Sequence, residues 1–262
     1  MLYIEWFRQG ARLAAACACI AAAVALPSAA LAQPTGIEPQ AEKLFKSATT
    51  FLAAQKRFSV DSSSTIEVVL ASGQKLQFDS AALLQVQRPN MLRAERRGDL
   101  VDQVFYYDGK SLTLHNPGQK VFATLPAPAT LEQMLDFART TLDIVAPAGD
   151  LIYANAYEIL MDGVTSGFVV GKSVVEGVRC DHLAFRGADV DWQIWIREGS
   201  QPLPCKLVIT SKDVANAPQF SVVMRNWNLA PKFSAASFSF KAPKGVRQIE
   251  FLPLGKSDNQ IR

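Results

Sequence analysis

The spacing of apolar residues along the chain changes several times, and each change marks an element. After an unbroken apolar run over residues 13–26, Ala41, Leu44, Phe45, Ala48, Phe51 and Leu52 recur every three or four positions, which puts them on one face of a helix. Residues 37–58 therefore predict an amphipathic helix. From residue 58 to 70 the period falls to two, with Phe58, Val60, Ile66, Val68 and Leu70 on one face and Ser59, Asp61, Ser63, Thr65 and Glu67 on the other. Ala71-Ser72-Gly73-Gln74 is turn chemistry, and the alternation resumes with Leu76, Phe78, Ala82, Leu84 and Val86 until Arg88-Pro89-Asn90 stops it. The two strands make a hairpin.

Shorter strands are predicted at 91–97, 100–107, 111–115 and 120–125, separated by Gly98-Asp99, Asp108-Gly109 and Pro117-Gly118. After Pro126 and Pro128 the pattern Thr130 to Gln133 reads as a capping box, followed by Leu131, Leu135, Ala138 and Leu142 at helical spacing. This predicts a second helix to about residue 143, and a third, shorter one covers 151–161. Strand patterns return at 168–175, 178–185, 190–197, 206–210, 219–227 and 238–241. The expected fold is mainly β (α+β), with about eleven strands and three helices in an order that contains no βαβ alternation. An antiparallel sheet of this length has to curl, because strand twist accumulates. Helices inserted midway through a meander have to cover one of its faces.

Arg8 and Arg12 precede the apolar run, and Pro27-Ser28 leads to Ala30-Leu31-Ala32, the layout of a secretory signal peptide. Fourteen apolar residues are too few for a helical span, which needs about 20. Residues 1–32 are thus expected to be removed after Ala32, leaving one domain, 33–262, in the periplasm. Cys17 and Cys19 follow plain alanines, so lipidation is not expected. The net charge of +3 is scattered along the chain and leaves no basic stripe for nucleic acid.

Catalytic motifs are missing. There is no Gly-x-Ser-x-Gly, no phosphate-binding Gly-x-x-x-x-Gly-Lys, no His-Glu-x-x-His and no Cys-x-x-Cys. The two histidines, His115 and His182, are far apart, and Asp181 lies on the opposite strand face from His182. Neither a cofactor, nor a metal, nor an enzymatic activity is expected, and no carboxylate pair stands out. In the segment 191–196, Trp192, Ile194 and Ile196 share one face while Trp195 lies with Asp191 and Gln193. Trp192 is therefore the candidate to line a groove. The hairpin face adds Phe58, Val60, Ile66, Val68, Leu76, Phe78, Leu84 and Val86 as candidate lining of an apolar cavity. A simple meander puts Cys180 and Cys205 two inter-strand steps apart, about 9.6 Å. A disulfide needs Cα atoms within about 7 Å, so the two thiols are expected to be unbridged.

Three segments carry a resemblance. Arg88-Pro89-Asn90-Met91-Leu92-Arg93, Asp108-Gly109-Lys110 and Phe238-Ser239-Phe240-Lys241-Ala242-Pro243-Lys244-Gly245 resemble the Arg-Pro-x-x-x-Arg step, the Asp-Gly-Lys turn and the closing Phe-x-Phe segment of LolA-type periplasmic lipoprotein carriers. The stretch from Cys180 through Asp191-Trp192-Gln193-Ile194-Trp195-Ile196 to Pro202-Leu203-Pro204 resembles an uncharacterised family of predicted periplasmic bacterial proteins in the same superfamily. The resemblance implies a half-open barrel whose apolar face is covered by a helical lid, here about 130–161, with acyl chains held between them. It also implies that Arg93 holds the lid. A non-enzymatic carrier for a lipid, lipoprotein acyl chain or other amphiphile is then expected, with transient membrane contact. The alternative is a regulatory or assembly protein that binds an envelope protein through the same sheet.

Overall fold

The computed structural model describes residues 36–251 apart from Val145. The proposed signal peptide and its cleavage site after Ala32 lie outside the described residues. Helix α1 (Pro39–Ala53) starts on a proline, whose fixed φ suits the first helical turn. It buries Ala41, Phe45, Ala48 and Leu52. Phe58 already belongs to the next element, so the helix is shorter than its apolar period suggested. The hairpin follows as β1 (Arg57–Val69) and β2 (Lys75–Gln87), paired without a break from Arg57↔Gln87 to Val69↔Lys75. Strands β3 (Met91–Gly98), β4 (Asp102–Tyr107), β5 (Ser111–Asn116) and β6 (Val121–Pro126) continue the meander.

Helix α2 (Leu131–Thr140) is capped by Thr130, whose hydroxyl accepts the Gln133 amide at 3.3 Å. A 3-10 turn (Gly149–Ile152) and the short α3 (Ala156–Met161) complete the helical insertion. A second meander runs through β7 (Val164–Val175), β8 (Val178–Gly187), β9 (Val190–Arg197), β10 (Pro204–Ser211) and β11 (Gln219–Asn228). The two meanders join where β11 pairs antiparallel with β1. A two-residue strand, β12 (Arg247–Gln248), adds to β6 in parallel. The result, among the described residues, is one twelve-stranded sheet in the order β12-β6-β5-β4-β3-β2-β1-β11-β10-β9-β8-β7, whose β7 edge is bridged at Gly167 by Ile37. It is not closed into a barrel.

The helices lie on one face of this sheet, the inner face. Phe45, Leu52, Leu131, Met134, Leu151 and Ile152 from the helical segments form one buried cluster with Phe58, Val86, Leu92, Leu112, Ile194 and Leu207 from the sheet. Each such side chain contributes about 1.5–3 kcal/mol by leaving water. That burial explains why short helices persist here.

Further expectations change at the C-terminal segment and at the cysteines. Residues 238–241 do not form a strand. A 3-10 turn (Ala235–Ser237) leads into an extended strap on the outer face, where Phe238 is buried and Phe240 packs on Tyr106, His115 and Phe122 with ring centroids 5.4, 4.9 and 4.9 Å away. Alternating Phe-x-Phe serves a strap anchored by side chains as well as a strand anchored by a backbone ladder, so periodicity did not separate the two. The cysteines differ in detail from the simple meander. Cys180 pairs with Arg197 across β8 and β9, whereas β10 pairs Pro204 with Ile196 and Lys206 with Trp195, leaving Cys205 as the extra residue of a bulge. The bulge turns Cys205 to the outer face, where it and Cys180 are buried and unbridged beside Trp195 and Val208.

Candidate functional site

Strand alternation and the unbroken β1–β2 register put all eight hairpin candidates on the inner face, in the cross-strand pairs Phe58↔Val86, Val60↔Leu84, Ile66↔Phe78 and Val68↔Leu76. They do not behave alike. Phe58, Val60 and Val86 are 1, 4 and 0 % exposed and belong to the core, with Leu84 packed at its margin. Phe58 rests on Trp227 at 5.6 Å. Ile66, Val68, Leu76 and Phe78 are half-buried and stand outside that cluster. Between the two zones lies a polar belt of Ser62, Ser64 and Ser80, in which the Ser64 and Ser80 hydroxyls are hydrogen-bonded at 2.9 Å. The hairpin extends beyond the buried cluster that the helices and sheet share. Its proximal half is a dry core and its distal half an open apolar strip.

The strip is one end of a row that crosses the sheet. Successive pairings link Gly167 to Phe185, Phe185 to Trp192, Trp192 to Ile209, Ile209 to Phe220, Phe220 to Ile66 and Ile66 to Phe78. Glycine is required at the head of this row, since a Cβ at Gly167 would meet the Phe185 ring at 2.4 Å. Trp192 is stacked on Phe185 at 4.2 Å and packed on Phe45 of α1 at 5.1 Å. It is 5 % exposed and lies under α1, so it lines the core rather than an open groove. Beyond it Ile209 and Phe220 are partly buried, and the row ends on the half-buried pair Ile66 and Phe78. From Ile209 to Phe78 are three inter-strand steps, about 14 Å.

The lid contact expected of Arg93 is made by Arg88. Its Nη2 donates to the Ile152 carbonyl at 2.5 Å and its Nη1 to Glu132 Oε1 at 3.2 Å, tying the β2–β3 turn to the 3-10 turn and to α2. The same turn accepts the Leu131 amide on the Pro89 carbonyl at 2.9 Å. Burial lowers the Arg88 pKa from its ordinary value, against the pull of Glu132. Arg93 pairs with Gln85 and Tyr106 and lies on the outer face, ion-paired with Glu95 at 2.6 Å and 5.2 Å over the Tyr106 ring. Both arginines belong to the Arg-Pro-x-x-x-Arg motif. Only the one beside the turn can reach the helices, because odd-numbered β3 positions point outward. Within the cover, Tyr153 donates to Asp136 at 2.8 Å and Tyr157 to Glu42 of α1 at 2.7 Å.

The remaining candidates for chemistry are spread out. His182 stacks on Trp195 at 4.0 Å and bonds Gln193 at 3.0 Å on the outer face, while His115 lies under Phe240. Among the described residues, no group of three or more His, Cys, Asp or Glu side chains is placed to hold a metal ion. A cleft of about 330 Å³ lies at the opposite end of β11 from the open strip, lined by Val175, Leu203, Cys205, Met224, Arg225 and Trp227 among others. The hairpin candidates do not line it.

A family described as "Predicted periplasmic protein (DUF2092)" matches residues 41–252. No curated protein matches the chain. Among solved structures, an uncharacterized conserved protein from Thermus thermophilus is 9 % identical, with 80 % of this chain and 99 % of that chain covered at a TM-score of 0.47. LprF from Mycobacterium bovis is 12 % identical, with 76 % and 97 % covered at 0.48. A LolA superfamily protein from Nitrosomonas europaea is 10 % identical, with 76 % and 97 % covered at 0.38.

Proposed function

The chain belongs to the DUF2092 family of predicted periplasmic proteins, and from that premise we propose that it is a non-enzymatic carrier that holds a lipid, a lipoprotein acyl chain or another amphiphile on the inner face of its sheet. The observation that supports this reading is the split of the hairpin face. Four apolar side chains, Ile66, Val68, Leu76 and Phe78, continue the core row beyond the helices and stay half-buried. About twelve methylenes laid along the row gain about 10 kcal/mol at ~0.8 kcal/mol each. Ordering and association subtract several, which leaves a Kd on the order of micromolar to tens of micromolar.

Titration with a fluorescent fatty acid tests the reading. The unmodified protein binds in the micromolar range, and Val68→Trp blocks binding at a stability cost of about 1 kcal/mol, since Val68 is not enclosed. Failure of the unmodified protein to bind any acyl probe at high micromolar concentration removes the carrier reading. The alternative, docking of an envelope protein, is supported by the edge of β7 beyond the Ile37 bridge at Gly167, where Val170 and Val174 are 48 and 65 % exposed. Strand addition there leaves acyl binding untouched, so Val174→Lys separates the two readings.

A further inference from the structure

Building on the carrier reading, we propose that the amphiphile has an anionic head group, a carboxylate or a phosphate, and that Arg96 is the residue that receives it. Arg96 pairs with Ala82 on β2 and Gln103 on β4, and Ala82 pairs with Ser62, so the register puts Arg96 on the inner face. It stands level with the serine belt, between the core margin at Leu84 and the open strip at Phe78.

Its charge has no counterpart. The carboxylates of β1–β4 are Asp61, Glu67, Asp79, Glu95 and Asp102, and the alternation that turns Arg96 inward turns all of them outward. Each is already engaged: Asp61 by Asn226, Glu67 by Lys75, Asp79 by Thr65, Glu95 by Arg93, and Asp102 by the Gly118 amide. The other cations of these strands, Arg57, Arg93, Arg97 and Lys75, pair with outward positions. Arg96 is thus the inward charge of the four strands. Among the described residues it makes no ion pair and no hydrogen bond. Burial lowers its pKa from the ordinary arginine value, with no opposing charge to offset it.

A half-buried guanidinium without a partner is costly to maintain. Its planar fork matches a carboxylate or phosphate oxygen pair, and the Ser62, Ser64 and Ser80 hydroxyls and the Gln103 amide beside it offer further hydrogen bonds. The arrangement gives the site a polarity along the sheet: head group at the belt, tail on Phe78, Ile66 and Phe220.

The test compares dodecanoate, dodecyl phosphate, dodecanol and dodecylammonium as competitors of a fluorescent acyl probe. Either or both anions bind about tenfold more tightly than the alcohol, as one charge-assisted hydrogen bond supplies, and the ammonium binds weakest. The two anions differ in affinity according to which head group the site prefers. Arg96→Gln lowers the anions toward the level of the alcohol, with a smaller loss for the alcohol, and Arg96→Lys keeps part of the preference. Equal binding of alcohol and anions, or an unchanged ratio in Arg96→Gln, overturns the proposal and leaves the carrier reading standing. Binding of none of the four overturns both. Should Arg96→Gln not fold, the ratio in the unmodified protein and its fall with added salt decide the matter.

Discussion

Replacing Arg88 by methionine isolates the contact that holds the helical cover. Methionine keeps much of the length and apolar surface of the side chain, so what disappears is the charged fork. The bond from Nη2 to the Ile152 carbonyl at 2.5 Å is charge-assisted and largely shielded, since the Arg88 side chain is 14 % exposed. Its loss costs about 1.5–3 kcal/mol. The Glu132 partner is about one-third exposed and adds about 0.5 kcal/mol. Relief of the buried guanidinium, which depresses the Arg88 pKa, returns part of this. The net expectation is a loss of about 2 kcal/mol, or about 4–8 °C in Tm for a domain of this size. Differential scanning calorimetry reads the total. Hydrogen exchange reads its location, and amides of residues 131–161 should exchange faster while those of β1 and β2 keep their protection. Arg93→Met, on the outer face, is the control and should cost less than about 1 kcal/mol without changing exchange in the helices. A loosened cover in Arg93→Met with none in Arg88→Met would refute the assignment.

Two further outcomes follow from buried titratable groups. Burial holds His115 and His182 below the usual histidine range, so the folded state takes up protons less readily than the unfolded state. Their contribution is complete above about pH 6.5 and is lost as pH falls through that value toward the folded pKa. Tm should therefore drop between pH 7 and pH 5, and an equal drop in a His115→Gln/His182→Gln variant would show that other groups are responsible. Burial and the adjoining Cys205 thiol push the Cys180 thiol up to about 12, and burial raises Cys205 as well. Iodoacetamide at pH 8 should leave the native protein unlabelled and should label two thiols after unfolding without reductant, whereas an unlabelled unfolded chain would mean that a bridge forms.

Element type was legible in the sequence where one period dominates. The hairpin face from Phe58 to Val86, the nine strands β3–β11 after it and the Thr130 cap all follow from spacing and turn residues, because a half-buried strand writes alternation directly into sequence. The Phe238-x-Phe240 segment was misread because a strap and a strand share that alternation. The resemblance put the lid contact on Arg93 because a motif gives positions but not faces. One step along β3 reverses the face, and the register needed to settle the matter comes from pairing with β2.

The amino-acid sequence by itself determined that the chain forms a long antiparallel sheet with an apolar hairpin face and a few covering helices, since these depend on local periodicity and turn chemistry. Only the tertiary structure decided how far the cover reaches. Phe58 and Phe78 look equivalent in sequence, yet the first is buried in the core cluster beside Trp227 and the second stands half-buried outside it. It also decided that Trp192 lies under Phe45 and that Arg96 alone among the charges of β1–β4 faces inward. Such distinctions rest on contacts between residues far apart along the chain, from Phe45 to Trp192 and from Arg88 to Ile152. No local pattern encodes them, because each depends on where a separate element comes to rest.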